Sequence, residues 1–307
     1  MNPTTGANGT VVTVGTFDGV HRGHWQVLEA LAEAARNRSA RSLLVTFDPH
    51  PLRIVRPAVA PQLLTTPSEK IEFLAQSAVE LVALLRFTPE LAAFPPRAFV
   101  EEILIARFGM SHLVIGYDHG FGQGRSGDVD TLRSIGLSLG FGVDVVEPVY
   151  ARAGDAISSS GIRTALVAGD VVSAAGALGR PYSLTGTVVR GEGQGHRLGF
   201  PTANLDVAHA DKLIPHEGIY AVRAALRDHF ADGVLHLGPR PTFAGLPPSI
   251  ELHLFDFDGD LYGNRVRVEF IDRVRDIARF DSTDALIRAM EADCAEARRL
   301  LADAASG

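Results

Sequence analysis

Two histidines three residues apart, at a strand-to-helix turn, are the first residues in this chain whose types and spacing point to chemistry. They close the run Gly15-Thr16-Phe17-Asp18-Gly19-Val20-His21-Arg22-Gly23-His24. Gly15, Gly19 and Gly23 permit tight turns and a close approach of backbone to ligand. A helix starting here points its free N–H groups and the positive end of its dipole at the loop, which makes an anion site. If both imidazoles lie in the first turn they share one side, where they can donate hydrogen bonds to phosphate oxygens as charge builds. A second group lies far downstream. Thr202 and Asn204 are two apart, so on extended backbone they face the same way and offer hard oxygen ligands suited to Mg²⁺. Glu251 and His253 likewise share a strand face, and a carboxylate there can take a proton from an attacking hydroxyl.

Three further segments follow apolar runs, where ligands bind in open parallel sheets. Thr46 to Pro51 brings Pro49, His50 and Pro51. Gly116 to Gly127 brings Asp118, Phe121 and Arg125, an aromatic face and a guanidinium that can stack a ring and pair a phosphate. Ile157 to Arg163 brings Ser159, Ser160 and Arg163. Serines ahead of a helix serve equally as N-caps or as phosphate ligands.

The elements that must hold these residues divide into two kinds. Runs at Thr10–Val14, Ser42–Phe47, Leu81–Phe87, His112–Ile115 and Gly142–Val149 alternate with helical stretches at Trp25–Arg36, Ser68–Ser77 and Pro95–Phe108. That pattern predicts a parallel sheet covered on both faces. After about residue 180, strands are expected at Ser183–Arg190, Gly218–Leu226, Val234–Leu237, Ile250–Phe257 and Arg265–Ile271, as in an antiparallel barrel or sandwich. A last helix is expected from Ser282 to about Ala302, packing Ile287, Met290, Cys294, Ala297 and Leu301 on the barrel. The fold class is thus α/β followed by β, and 307 residues accommodate two domains.

Composition removes several alternatives. Hydrophobic residues are 46% and charged residues 21%, ordinary for a globular chain. The net charge of −7 argues against a broad nucleic-acid surface. The single cysteine, Cys294, excludes an intrachain disulfide and a Cys-rich metal site. The lysines are Lys70 and Lys212, and neither follows glycine, so ATP would be held without a Walker A loop. Gly191, Gly193 and Gly195 lack dinucleotide spacing, and there is no GxSxG elbow. With no signal-peptide pattern and no apolar run long enough to span a bilayer, a cytoplasmic protein without membrane partners is expected.

The ten-residue run ending at His24 resembles the HxGH signature of nucleotidyltransferases. In its long form it resembles the adenylyltransferase half of the bacterial bifunctional riboflavin kinase/FAD synthetase family. The Ile157–Arg163 segment resembles that family's Ile-Ser-Ser-Thr-x-x-Arg motif, with Ser160 in the threonine place. Gly-Phe-Pro-Thr-Ala-Asn (199–204) and Glu-Leu-His-Leu-Phe-Asp-Phe (251–257) resemble its kinase module. Leu237–Phe243 and Asp258–Gly263 match as well. The chain departs from the pattern at His119-Gly120, Gln123 and His196.

The resemblance implies a Rossmann-like FMN adenylyltransferase domain at 9–170 and a six-stranded riboflavin kinase barrel with a C-terminal helix at 181–303. It implies His21, His24 and Glu251 as catalytic, and Gly15, Phe17, Gly23, Ser159, Ser160, Arg163, Gly199, Thr202 and Asn204 as ATP-binding. Thr202 and Asn204 would also hold Mg²⁺. Pro49, His50, Pro51, Asp118, Phe121 and Arg125 would bind flavin. The implied substrates are ATP, riboflavin and FMN. Two rival readings are an enzyme with one degenerate module and a flavin sensor without turnover. Retention of His21, His24, Thr202, Asn204 and Glu251 argues against the sensor, which needs a pocket but no base.

Overall fold

The computed structural model describes residues 8–306 apart from 118, 119, 121, 123–125, 152, 153, 192–194, 196, 197, 208, 228 and 240–248. The chain forms two compact units that divide between Ser159 and Ser160.

The first unit carries a five-stranded sheet of β1 (Thr10–Val14), β2 (Arg41–Asp48), β3 (Leu81–Arg86), β4 (Met110–Gly116) and β5 (Gly142–Val146). Their order is β3-β2-β1-β4-β5, and all neighbours are parallel. Every residue of β1 is buried, because both faces are covered. Alternation sorts the two faces. Val11 and Val114 pack on the helix α1 (Arg22–Asn37) through Leu31, Ala34 and Ala35. Val12, Val14, Leu113 and Ile115 pack on the opposite layer with Phe99, Leu104 and Leu132. The strand order reverses beside β1, so the loop after β1 opens at a topological switch point.

Two elements of this unit differ from the sequence reading. The stretch expected as one helix at Pro95–Phe108 is a short α-turn, Pro96–Ala98, that widens into a π-helix at Phe99–Ile105. Ala106 N–H bonds Glu101 C=O, five residues back. The wider turn brings Phe99, Val100 and Leu104 together into the core. The helix Val129–Leu139 was not read from the sequence. Asp128 caps it by accepting from Thr131 N–H at 2.9 Å, and Gly140 ends it at φ +81°.

Helices Ser159–Val167 and Val171–Leu178 lead into the barrel of the second unit. A closed antiparallel barrel follows, of β6 (Tyr182–Val189), β7 (Ala203–Asp206), β8 (Gly218–Ala225), β9 (Phe230–Gly238), β10 (Ser249–Leu254) and β11 (Arg265–Arg275). Its order is β10-β7-β6-β11-β8-β9. β7, only four residues long, is the strand that periodicity did not reveal. β11 is the longest, and two register shifts against β8 bend it around the barrel. The C-terminal helix, Thr283–Ser306, lays Ala297 and Leu301 on Ile219, Ala221 and Val234 of the barrel wall.

Candidate active sites

The loop after β1 is held in an unusual backbone conformation. Phe17, Gly19 and Val20 all have positive φ, at +47°, +85° and +41°. For phenylalanine and valine that conformation is costly and persists only where surroundings enforce it. Here the surroundings do so from three sides. Asp18 is buried, and its carboxylate accepts from Leu64 N–H and Thr65 N–H at 3.0 Å each and from the Thr65 hydroxyl at 3.2 Å. The Gly19 N–H donates to Thr65 Oγ1 at 3.1 Å. The Ser159 hydroxyl donates to the Asp18 carbonyl at 2.9 Å. Phe17 is 3% exposed and belongs to the core with Val20 and Leu28, its ring 4.8 Å from that of His24.

The histidines stand one step earlier than their spacing led us to expect. His21 is the N-cap of α1 and His24 is its third helical residue. His24 N–H donates to His21 Nδ1 and His21 N–H donates to His24 Nδ1, both at 3.3 Å. The two rings stack with centroids 3.6 Å apart and planes 17° from parallel. This is a capping box made of imidazoles, where serine and glutamate more often serve. Because Nδ1 accepts in each ring, each neutral ring carries its proton on Nε2. Gly23 leaves room for this stack, since a Cβ there would come within 3.3 Å of the His21 ring.

On the next strand end, Pro49 follows a cis peptide bond. His50 caps the helix Pro51–Val55 by accepting from Leu52 N–H at 3.2 Å. Asp118, Phe121 and Arg125, with the family departures His119, Gln123 and His196, lie outside the described residues, as does part of Leu237–Phe243. Ser160 and Arg163 lie in the second unit, near the start of helix Ser159–Val167. Arg163 is partly exposed.

The barrel carries the second site. Asn204 of β7 pairs directly with Glu251 of β10, and Thr202 sits just before β7. The Thr202 hydroxyl donates to Glu251 Oε2 at 3.1 Å, and the Ser249 hydroxyl donates to Oε1 at 2.8 Å. Both carboxylate oxygens are therefore oriented by hydroxyls. The His253 Nδ1 lies 2.8 Å from the Pro201 carbonyl and fixes the start of the Pro-Thr-Ala-Asn turn. Two glycines leave space at the same place. A Cβ on Gly191 would overlap the Asn204 amide, and one on Gly195 would fall 2.9 Å from Thr202 Oγ1.

Glu251 opens onto a cleft of about 920 Å³, counted out to open solvent. Its apolar wall comes from Phe200 and Ile219 on the barrel side and from Leu286, Met290 and Cys294 of the C-terminal helix. At its base Arg275 and Asp293 form a two-pronged ion pair of 2.7 and 2.6 Å that joins β11 to that helix. Burial, and then the Asp293 carboxylate, push the Cys294 thiol up, which favours its neutral form in the cleft wall. The sequence pattern identified this helix face as packing surface only. Its second half packs on the barrel through Ala297 and Leu301, whereas its first half lines the cleft. Ser249 was missed too, because a serine beside a carboxylate carries no motif.

The donor set fits a hard cation that arrives with a nucleotide. Among the described residues no group of three or more His, Cys, Asp or Glu could hold a metal. Thr202 and Asn204 are neutral oxygen donors, and the space around them is kept free of Cβ atoms. Phosphate oxygens would complete such a shell.

The comparisons follow the same division. The FAD synthetase family model matches residues 4–161, and the riboflavin kinase family model matches residues 178–301. The bifunctional riboflavin kinase/FMN adenylyltransferase of Escherichia coli K12 is 36% identical over 279 residues, covering 91% of this chain and 88% of its own. That of Pseudomonas fluorescens is 38% identical, covering 97% and 94%. A crystal structure described as a macrolide-efflux protein from Streptococcus pneumoniae superposes with a TM-score of 0.83 at 30% identity, covering 95% of this chain and 94% of that one. Among the described residues of our chain, no helix is long and apolar enough to cross a membrane. An imidazole-capped helix in one unit and a hydroxyl-oriented glutamate in the other thus coincide with two family models in series, and the chain belongs to the bifunctional riboflavin kinase/FMN adenylyltransferase family.

Proposed function

We propose that the chain makes FMN from riboflavin and ATP in its barrel unit and FAD from FMN and ATP in its sheet unit. The observation that carries this is the oriented Glu251 at the mouth of an apolar cleft, together with a separate helix N-terminus capped by the paired imidazoles of His21 and His24.

In the barrel, the flavin ring would occupy the wall formed by Phe200, Leu286 and Met290. One Glu251 oxygen would accept the proton of the 5′-hydroxyl as that oxygen bonds the γ-phosphorus and the bond to ADP breaks. The Thr202 and Ser249 hydroxyls keep the carboxylate aimed. Thr202, Asn204 and the backbone at Gly199 would hold Mg-ATP, and the Mg²⁺ would offset phosphate charge.

In the sheet unit, an FMN phosphate oxygen would bond the α-phosphorus of ATP while the bond to pyrophosphate breaks. This nucleophile is already ionised at neutral pH, so the site needs donors and no base. His21 and His24 would supply Nε2–H groups and the α1 N-terminus its dipole. Gly15, Gly23 and the Phe17 backbone would line the ATP side, with Ser159 as a further phosphate ligand. Pro49, His50 and Pro51 would line the flavin side with Asp118, Phe121 and Arg125. Division into catalytic domains near 170 and 181 belongs to the same proposal, as do the absence of nucleic-acid and membrane partners and a cytoplasmic site of action.

Incubating the protein with ATP, Mg²⁺ and riboflavin and separating products by chromatography tests this. FMN should appear first and FAD after it, and withholding Mg²⁺ should stop both. A chain that forms neither product, or that binds flavin without consuming ATP, would overturn the proposal.

A further inference from the structure

Lys70 is one of two lysines in the chain, and its side chain is buried at the catalytic end of the sheet, 7% exposed. It projects from the helix Pro67–Leu74. Its Nζ donates to the Thr16 carbonyl at 3.2 Å, the Phe47 carbonyl at 3.0 Å and Thr46 Oγ1 at 3.3 Å. An ammonium has three protons, and here all three are used on acceptors from two different strand ends. Thr16 leads into the loop that carries His21 and His24. Phe47 leads into Asp48-Pro49-His50-Pro51. The Thr46 hydroxyl adds a direct bond to the same Thr16 carbonyl at 3.1 Å. The helix that supplies Lys70 is itself fixed to the first loop, because Asp18 binds the Leu64 and Thr65 N–H groups just ahead of it. A Thr66–Glu69 capping box then starts the helix.

We propose that Lys70 is a positioning residue for FAD formation, setting the distance between the phosphate-binding loop after β1 and the flavin-side loop after β2. The proposal rests on the reading that adenylyl transfer takes place at these strand ends. Hydrogen-bonding demand alone does not call for a buried charge, since a neutral donor could satisfy a carbonyl without the cost of desolvation. The charge has a use at this place. Asp18 and Asp48 stand on the two segments that the ammonium joins, and both act on it electrostatically. Lys70 offsets them where anionic phosphates must approach. His50 lines the same recess, and Glu69 is the neighbour in the same helix. Burial holds the Lys70 ammonium below the ordinary lysine range, against the opposing pull of Asp18 and Asp48. Its charge is therefore lost at a lower pH than that of an exposed lysine.

The test uses the full chain with Lys70→Met, which keeps the stem and removes the charge, and with His24→Ala as a reference. FAD formation from FMN and Mg-ATP and FMN formation from riboflavin are measured on each. For Lys70→Met, kcat for FAD formation should fall about 10²-fold, the scale of a misplacement of roughly 1 Å. KM for both FMN and ATP should rise, and riboflavin phosphorylation should be unchanged. The wild type should also lose FAD formation on its alkaline side, and the residual activity of the variant should lack that limb. Wild-type constants in Lys70→Met, a loss that merely tracks the unfolded fraction in a melt, or an alkaline limb that persists would each overturn the proposal. If His24→Ala retains FAD formation, the underlying site reading fails instead. Should Lys70→Met not fold, Lys70→Gln, which keeps two N–H donors without charge, carries the same measurements.

Discussion

His21 and His24 cap one helical turn reciprocally: each Nδ1 accepts the other's backbone N–H at 3.3 Å while the rings stack at 3.6 Å. One arrangement serves two ends. It satisfies helix N–H groups that would otherwise need water, and it fixes which ring nitrogen carries the proton. The stack would be opposed by charge if both rings were protonated, and a doubly protonated ring has no acceptor left for the cap.

Structure and chemistry can be separated at this turn by substitution. In His24→Ala, FAD formation should fall at least 10²–10³-fold, the usual effect of removing a transition-state donor. The bond from residue 24 N–H to His21 Nδ1 remains, so losing the reciprocal half of the box should cost about 0.5 kcal/mol of stability, the low end for a cap. His24→Gln is more telling, because glutamine at the third helical position can return the cap bond. Its thermal midpoint should approach that of the wild type while FAD formation stays low. Recovery of activity in His24→Gln would mean that the imidazole matters only as a cap. Riboflavin phosphorylation should be unaffected in both.

At the barrel, Glu251→Gln keeps one oxygen, able to accept from Thr202 or Ser249 but not at both positions, and removes the base. FMN formation should drop about 10²–10⁴-fold. FAD formation from supplied FMN should be unchanged. Ser249→Ala should lower kcat less, because one hydroxyl still aims the carboxylate. Equal loss of both activities in Glu251→Gln would contradict two independent sites.

The sequence was most readable where local pattern and tertiary burial agree. β1 stands where its β-branched run placed it, Thr10–Val14, because a central parallel strand is buried on both faces. The glycine frame around His21 and His24 located the turn, but not the side from which each imidazole caps it. That depends on a helix start three residues earlier than the apolar pattern suggested, at Arg22 in place of Trp25. β7 escaped because four residues hold too little periodicity. The π-helix at Phe99–Ile105 escaped because its sequence reads as an ordinary helix, and only packing against the sheet widens it. The helix Val129–Leu139 escaped as well, although Asp128 and Gly140 are an N-cap and a C-terminal stop of the usual types. Lys70 and Ser249 were silent, since each acts through residues distant in sequence and belongs to no local motif.

The glycines of the kinase loop yield a steric prediction. Gly191→Ala places a methyl on the Asn204 amide, whose strand position is fixed by pairing with β6 and β10. The amide must rotate away. If Asn204 holds the nucleotide, KM for ATP in riboflavin phosphorylation should rise about tenfold, the equivalent of roughly 1.4 kcal/mol, with KM for ATP in FAD formation unchanged. Steady-state kinetics on both half-reactions decide it, and an unaltered kinase KM would remove Asn204 from the nucleotide site.

Glu269 gives the pH prediction. It lies on β11 between Ser183 of β6 and Arg223 of β8, and burial holds its carboxyl above the ordinary value of 4.5, against the opposing pull of Arg267 and Arg223. A raised native pKa means that the native state binds this proton more tightly than the unfolded chain. Its contribution to stability is then fully present below the unfolded value and is lost as pH rises through the native one. At neutral pH the ionised carboxylate is a net cost of burial. Glu269→Gln cannot ionise, so its barrel should be slightly more stable than the wild type at pH 7, the gain kept small by solvent screening at a half-exposed position. The advantage should close as pH falls toward and below 4.5. Thermal melts of both proteins across that range measure it. An advantage that is constant with pH would trace to packing and not to the charge. An advantage that grows toward acid would mean that Arg223 and Arg267 outweigh burial, and that Glu269 is a working ion-pair partner of the barrel wall.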